Sequence, residues 1–414
     1  MGRGPFALQV SSEPFGPDQA GTPPAALPIA VRCARPGDAD AILSFTRTTW
    51  DGWDYIPFVW QAWLAAADGV LLVATPRPPG PGEPPELDRF GRVLSPDRPI
   101  AMTRMTMLSS DEAWLEGLRV DPGVRNRRVG SLIHAASMTW ARANGARTVR
   151  YATGERNEGS HRIGNRLGFR VVGGFRSYER PEAPDEDDHP PMPPPDAAAP
   201  RWERVAEALR RAGLLLGADA AADAVVDAAS EGWAGGSWWD RLAGDPTFRA
   251  SGGLYERRAW SLQAFTAERF AEHLRAGEML AREDGERWGL AVVPSSPGSP
   301  FDESPHVSLL AGDPRACLKI ATAVRDVLGR PIRLRLPDPD PPILRGHAAA
   351  YAAAGFLPAK DAMHVLERPL AGDDDLAGDD DLAGDDDLAG DEGARLLEYT
   401  DEPRRVAVSR AIGS

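Results

Sequence analysis

The sequence predicts an α/β protein, and three observations carry that reading. Trp114–Val120 has the partly alternating apolar pattern of a half-buried strand, and Asp121-Pro122-Gly123 stops it. From Val129 the apolar positions Val129, Leu132, Ile133 and Ala136 then fall at helical spacing. Along residues 29–180, runs of strand character interleave with runs of helical character in the order β-α-α-β-β-β-α-β-α-β. Beyond them, Glu182–Pro200 holds prolines and acids and almost nothing large and apolar, which marks a linker to a second such region.

Each element has its local reason. Met1 to Pro28 is Pro/Gly-rich without an apolar run and reads as a disordered leader. Ile29–Cys33 reads as a first strand, and Pro36-Gly37-Asp38 opens a helix through Ala41, Ile42 and Phe45. An aromatic-rich helix follows from Pro57, with Phe58, Trp60, Trp63 and Leu64. Val70–Ala74 is a strand-length apolar run, Pro76–Arg92 a Pro/Gly/acid-rich loop, and Ile100–Leu108 the next strand. Thr148–Thr153 reads as a strand, Asn157–Ser160 opens a helix that ends at Leu167-Gly168-Phe169, and Arg170-Val171-Val172 begins a closing strand. A second domain is expected over residues 201–369. It has strands at Gly289–Val293, Val307–Leu310, Ile332–Leu336 and His364–Glu367, and helices at Cys317–Leu328 and Gly346–Ala354. From Leu370 the hexamer Leu-Ala-Gly-Asp-Asp-Asp repeats in tandem, so residues 370–414 read as a solvated acidic tail.

Composition bounds the function. A chain of 414 residues is long enough for two or three domains, and 42% hydrophobic residues supply a core for each. The net charge of −14 argues against non-specific nucleic-acid binding, which needs a basic face. Cys33 and Cys317 stand far apart, with neither metal-ligand spacing nor a disulfide framework, as in a reducing compartment. No run approaches the roughly 20 apolar residues of a membrane span. The expectation is a cytoplasmic protein with no metal, no membrane partner and room for oligomerisation.

The chemistry concentrates where the strand ending at Val120 runs into the helix from Val129. Arg125, Arg127 and Arg128, with Gly130, lead into a helix start whose backbone N–H groups and dipole make an anion site. This stretch resembles the acetyl-CoA signature of the GNAT N-acetyltransferases, V-x-P-x-x-R-x-x-G-x-G followed by a helix. Arg125 takes the signature Arg, Gly130 its last Gly and Ser131 the first helical turn, while Arg128 stands where the first Gly falls. Downstream, Asn157, Ser160, Gly168 and Phe169 match the family's spacing, and Gly164 stands where the family often has a tyrosine that protonates the departing thiolate.

The resemblance covers residues 29–180. It implies a GNAT-like mixed central sheet flanked by helices, with residues 201–369 as a second, degenerate domain of the same kind in tandem. In that second domain Ala311–Arg315 sits where the phosphate loop would be, and Tyr351 falls at the tyrosine position. Acetyl-CoA is the implied cofactor. Arg125, Asn126, Arg127, Arg128, Val129, Gly130 and Ser131 would anchor its pyrophosphate. Leu118, Arg119 and Val120 would lie along its pantetheine arm as a paired strand, and Asn157 and Ser160 would face it.

Two further groups complete the reading. Glu116, taken by strict alternation to share a face with Leu118 and Val120, is the candidate base, with an exposed strand glutamate as the bland alternative. With glycine at 164, the acid is Tyr151, His161, a water or none. Trp50, Trp53, Asp54 and Tyr55 lie between the first two helices, which in this family line the acceptor pocket. An aspartate among aromatics suits an ammonium or imidazolium group. The Asp-Tyr-Ile-Pro run, with the Trp-Leu-Glu-Gly-Leu-Arg-Val-Asp-Pro strand, is similar to the histidine N-acetyltransferase branch, which points to a small amine or amino acid acceptor. The alternative is a non-catalytic module that binds acyl-CoA or another small ligand.

Overall fold

The computed structural model describes residues 26–47, 49, 54–179, 209, 236–258, 260–294, 307–328, 333–338 and 344–370. The expected leader up to residue 25, the linker, the acidic tail from 371, and Trp50 and Trp53 lie outside the described residues. The chain is mixed α/β, with strands of a central sheet flanked by helices, and it divides into two compact units. One unit takes Val10–Arg150, Arg162–Phe169 and Glu367–Ser414; the other takes Tyr151–His161 and Arg170–Leu366, with the first nine residues.

In the first unit, β1 (Ile29–Cys33), β2 (Gly69–Pro76), β3 (Ala101–Met107) and β4 (Glu112–Val120) pair antiparallel in sequence order. β5 (Thr148–Gly154) joins β4 in parallel, which makes the sheet mixed. Helices α1 (Ala39–Thr46) and α2 (Ile56–Ala65) precede β2. Trp60 and Trp63 of α2 are core residues, as their three-residue spacing predicts. α3 (Val129–Ala143) lies on β3 and β4, where Val129 and Ile133 meet Leu72, Ala74 and Ala101 in one apolar cluster. Arg150 is nearly buried between Glu112, which it pairs with directly, and Glu367 at 2.6 Å, all three residues of this unit. α4 (Glu158–Arg166) closes on the next turn, with the Phe169 N–H donating to the Gly164 carbonyl at 2.9 Å.

The second unit contains β6 (Arg170–Glu179), the short helices α5 (Gly236–Gly244) and α6 (Pro246–Ala250), and a hairpin of β7 (Leu254–Arg258) and β8 (Ser261–Ala264). Then come α7 (Ala267–Arg275), β9 (Met279–Asp284), β10 (Arg287–Val292), β11 (Leu309–Gly312), α8 (Pro314–Leu328) and β12 (Arg333–Pro337). α9 (Arg345–Ala353), β13 (Leu357–Pro358) and β14 (Met363–Pro369) end the described chain. β9, β10 and β11 form a separate antiparallel sheet, and β12 and β13 each pair with β6. The β7–β8 hairpin and β9 carry no strand pattern in the sequence. Their polar residues Glu256, Gln263 and Arg282 hide the alternation that marks a strand.

Candidate functional site

β4 is the backbone of the site. It pairs with β5 only over Glu112–Trp114, against Thr148, Val149 and Arg150. Its far end therefore keeps one edge without a neighbouring strand in the first unit. The Asp121 N–H donates to the Ile100 carbonyl at 2.8 Å, so by alternation the N–H and C=O of Val120 point away from β3. That is the edge an extended ligand arm would pair with. The Leu118 carbonyl already accepts from Arg119 Nη1 at 2.9 Å, which leaves its second lone pair for a ligand.

A bulge changes which residues face which side. Arg104 stands opposite Glu116 and Met102 opposite Arg119, so three steps on β4 face two on β3. Gly117 sits in the bulge at φ 72°, and a Cβ there would lie 2.6 Å from the Trp63 ring, so glycine is required twice over. Cross-strand partners share a face, which places Glu116 and Arg119 together. Leu118 and Val120 face α3 instead, and their methyls lie 3.6 and 3.7 Å from where a Gly130 Cβ would stand. The expected common face of Glu116, Leu118 and Val120 is thus corrected. Strict alternation fails because one residue of β4 is extra.

The connection from β4 to α3 has the form of an anion cradle. Asp121 Oδ1 accepts from the Gly123 N–H at 2.8 Å and sets the turn. Asn126 (φ 66°) and Arg128 (φ 59°) both take the left-handed conformation. Arg128 therefore keeps, at some strain, the backbone form that glycine adopts freely, although a side chain is present. The first α3 bond runs from the Leu132 N–H to the Arg128 carbonyl at 3.0 Å, so the N–H groups of Val129, Gly130 and Ser131 have no acceptor among the described residues. The side chains of Arg125, Asn126 and Arg128 are exposed beside them. Gly130 also permits close packing, since a Cβ there would meet Ile163 Cδ1 at 3.0 Å.

Two arginines depart from expectation. Arg127 does not turn into the cradle. It donates to Glu86 Oε2 at 2.8 Å and to the Leu87 carbonyl at 3.1 Å, and so ties the loop to the β2–β3 connection. Arg166 of α4, which the motif did not single out, approaches Ser131 Oγ at 3.5 Å and adds a cation at the helix start. Its only sequence signal is an arginine one turn after Arg162.

The opposite face of β4 carries a charged cluster. Arg119 Nε and Nη2 donate to the two Asp54 oxygens at 2.7 and 3.1 Å, and its guanidinium lies 5.0 Å from the Tyr55 ring centre. Asp54 is 4% exposed and also accepts from the Ile56 N–H at 3.0 Å. Its charge is thus answered within the chain, so the expectation that Asp54 binds an ammonium gives way to a structural pair. Arg119 likewise turns its side chain to Asp54 rather than towards the cradle. Burial pushes the Tyr55 phenol up to about 12, against the pull of Arg119, which keeps it a neutral donor at ordinary pH. Beside them Glu116 Oε1 accepts from Thr106 Oγ1 at 3.3 Å and lies 3.5 Å from Arg104 Nε. Glu116 remains partly exposed.

In the second unit, Asn157 Oδ1 accepts from the Ser160 N–H at 3.1 Å and caps the start of α4. Tyr151 donates to the Ser160 carbonyl at 3.0 Å, and burial pushes its phenol up to about 12 against that bond. At Ala311–Arg315, Asp313 Oδ1 accepts from the Arg315 and Ala316 N–H groups at 2.9 and 3.2 Å. The chain's own carboxylate therefore fills the helix start where a phosphate would sit. Tyr351 is fully buried, packed edge-on against Tyr178, so it is a core residue.

Residues 78–169 match the acetyltransferase (GNAT) family. Over that segment the chain is similar to the GNAT acetyltransferases. No curated protein matches the chain. Among solved structures, a GCN5-related N-acetyltransferase from Sphaerobacter thermophilus is 14% identical at a TM-score of 0.41, covering 83% of this chain and 97% of its own. One from Kribbella flavida is 15% identical at a TM-score of 0.33, covering 82% and 72%. Arabidopsis thaliana NAA60, solved with a bisubstrate analogue, is 16% identical at a TM-score of 0.29, covering 36% and 87%. The GNAT match spans the bulged strand, the cradle and α4, so the parts that carry the candidate chemistry are the matched ones.

Proposed function

We propose that the protein is an acetyl-CoA-dependent N-acetyltransferase acting on a small amine or amino acid. The observation that carries the reading is the cradle, where two left-handed residues lead into unpaired N–H groups at the start of α3, ringed by Arg125, Arg128 and Arg166. Such a nest suits a pyrophosphate, and exposed guanidiniums bind phosphate oxygens bidentately. The free edge of Val120 suits the amide-bearing arm of the same cofactor.

Bound acetyl-CoA supplies the thioester, and an amine attacks its carbonyl carbon. The new C–N bond forms as the C–S bond breaks, and the amine's proton passes to a base while the thiolate takes one from solvent. Glu116 is the residue for that base, because it is the part-exposed carboxylate on the acceptor face of β4. It also suits the ammonium form of the incoming amine before proton loss. Asp54 and Arg119 hold the wall of that face in place.

A second reading has its own observation. Gly164 offers no hydroxyl, and Asp54 is already paired, so a non-catalytic acyl-CoA-binding module is the rival. Calorimetric titration of acetyl-CoA into wild type and Arg125→Ala tests the cradle. Binding by the wild type, weakened at least tenfold in the variant (about 1.4 kcal/mol), is the expected outcome. Absence of binding by the wild type removes both readings. Thiol release from acetyl-CoA with amines present then separates enzyme from module.

A further inference from the structure

The connection from β2 to β3 carries a small hairpin over residues 86–94. It is closed by the Asp88 N–H donating to the Arg92 carbonyl at 2.9 Å and the Leu94 N–H to the Glu86 carbonyl at 2.8 Å. Asp88 Oδ1 accepts from the Phe90 and Arg92 N–H groups at 2.8 and 2.9 Å, and Gly91 takes φ 78°, so the tip is held in one form. Of the six large apolar side chains exposed among the described residues, three sit on this hairpin: Leu87 at 46%, Phe90 at 59% and Val93 at 64%. Leu87 and Val93 stand opposite each other across it. The Arg89 and Arg92 guanidiniums flank the Phe90 ring, 4.7 and 5.2 Å from its centre. A fixed tip that presents apolar and basic side chains together has the character of a contact surface.

We propose that this hairpin docks the chain's own acidic repeat, the tandem Leu-Ala-Gly-Asp-Asp-Asp that runs from Leu370 through Gly390. The repeat is the chemical complement of the hairpin. Leu376, Leu382 and Leu388 match its apolar side chains, and the aspartate triplets between them match Arg89 and Arg92. A period of six is even, so in an extended chain these leucines share one face. The reach is sufficient. The hairpin is tied to the loop ahead of α3, by Arg127 to Glu86 Oε2 at 2.8 Å and by the Arg89 N–H to the Gly123 carbonyl at 2.9 Å. Leu370 lies beyond the other end of α3, where its N–H donates to the Arg147 carbonyl at 2.7 Å, and both ends belong to one compact unit. The span is therefore about the length of this 15-residue helix. That is about 22 Å, which roughly seven extended residues cover. Tethering holds the repeat at a high local concentration, so contacts that are weak one by one suffice.

The test is limited trypsin digestion of the full chain, since Arg89 and Arg92 are themselves cleavage sites at an exposed tip and cutting tracks the open population. The bond after Arg368 precedes Pro369 and resists trypsin, so the repeat stays attached. The comparison chain carries Leu376→Ser, Leu382→Ser and Leu388→Ser. It keeps every aspartate, and with them any effect of the charge on trypsin itself. Cleavage after Arg89 and Arg92 should be slower in the wild type by roughly fivefold or more. The difference should shrink at about 0.5 M sodium chloride, which screens the aspartate–arginine part of the contact. In a Phe90→Ser background, which alters an exposed side chain and keeps both cleavage sites, the two tails should give equal rates. Equal rates in the wild-type background, or a difference that survives Phe90→Ser, overturn the assignment. A difference that grows with protein concentration gives the occupant as the repeat of a second copy and overturns docking within the chain.

Discussion

At the scale of single residues, backbone conformation and burial decide more than residue type. Arg128 holds φ 59° where a side chain is strained. Arg128→Gly is therefore expected to relieve that strain and change stability by no more than about 1 kcal/mol. Acetyl-CoA binding should persist if backbone N–H groups make the cradle; calorimetry and urea denaturation read both. His134 is 3% exposed, and burial lowers its pKa to about 4 from an ordinary 6.5. Its contribution is complete above pH 6.5. As pH falls towards 4 the unfolded chain binds a proton that the folded one refuses, so stability drops, and the loss levels off below that. Between pH 7 and 5 the expected loss is roughly 2 kcal/mol, by 1.36 kcal/mol per unit. Urea denaturation at the two pH values should show that slope in the wild type and a flatter one in His134→Gln.

At the scale of elements, β4 and its neighbours act as one device. The bulge at Gly117 turns Glu116 and Arg119 to one side and Leu118 and Val120 to the other, so one strand serves a cofactor edge and an acceptor face. The Asp54–Arg119 pair joins the start of α2 to that strand. Arg119→Leu leaves the Asp54 charge buried alone and should cost about 3 kcal/mol in denaturant melts. Adding Asp54→Asn should recover much of it, since removing both charges ends the desolvation penalty. A double variant no better than the single one would show that the pair adds nothing beyond packing. The same logic separates the two helix starts. α3 leaves its N–H groups open, whereas α8 has its own Asp313 on them.

At the scale of the whole molecule, the residues of the cradle and its supports lie within 86–169, and much of the acidic charge lies between Asp373 and Asp391. A chain ending at Leu370 should bind acetyl-CoA at least as tightly as the full protein, because aspartates repel a polyphosphate. Calorimetry at low and physiological salt checks this, and weaker binding by the shorter chain would bring the tail into the site.

The sequence alone determined the α/β class, the strand–turn–helix at 114–136 and the arginines of the loop, because hydrophobic period and turn residues are local properties. Only tertiary structure decided where those side chains go. Arg127 binds Glu86 across the β2–β3 connection, Arg119 binds Asp54 from α2, and Glu116 changes face at a bulge. Each depends on a partner tens of residues away or on one extra residue in a ladder. Neither leaves a periodic signal, so charge pairing and strand register appear only once the chain has folded.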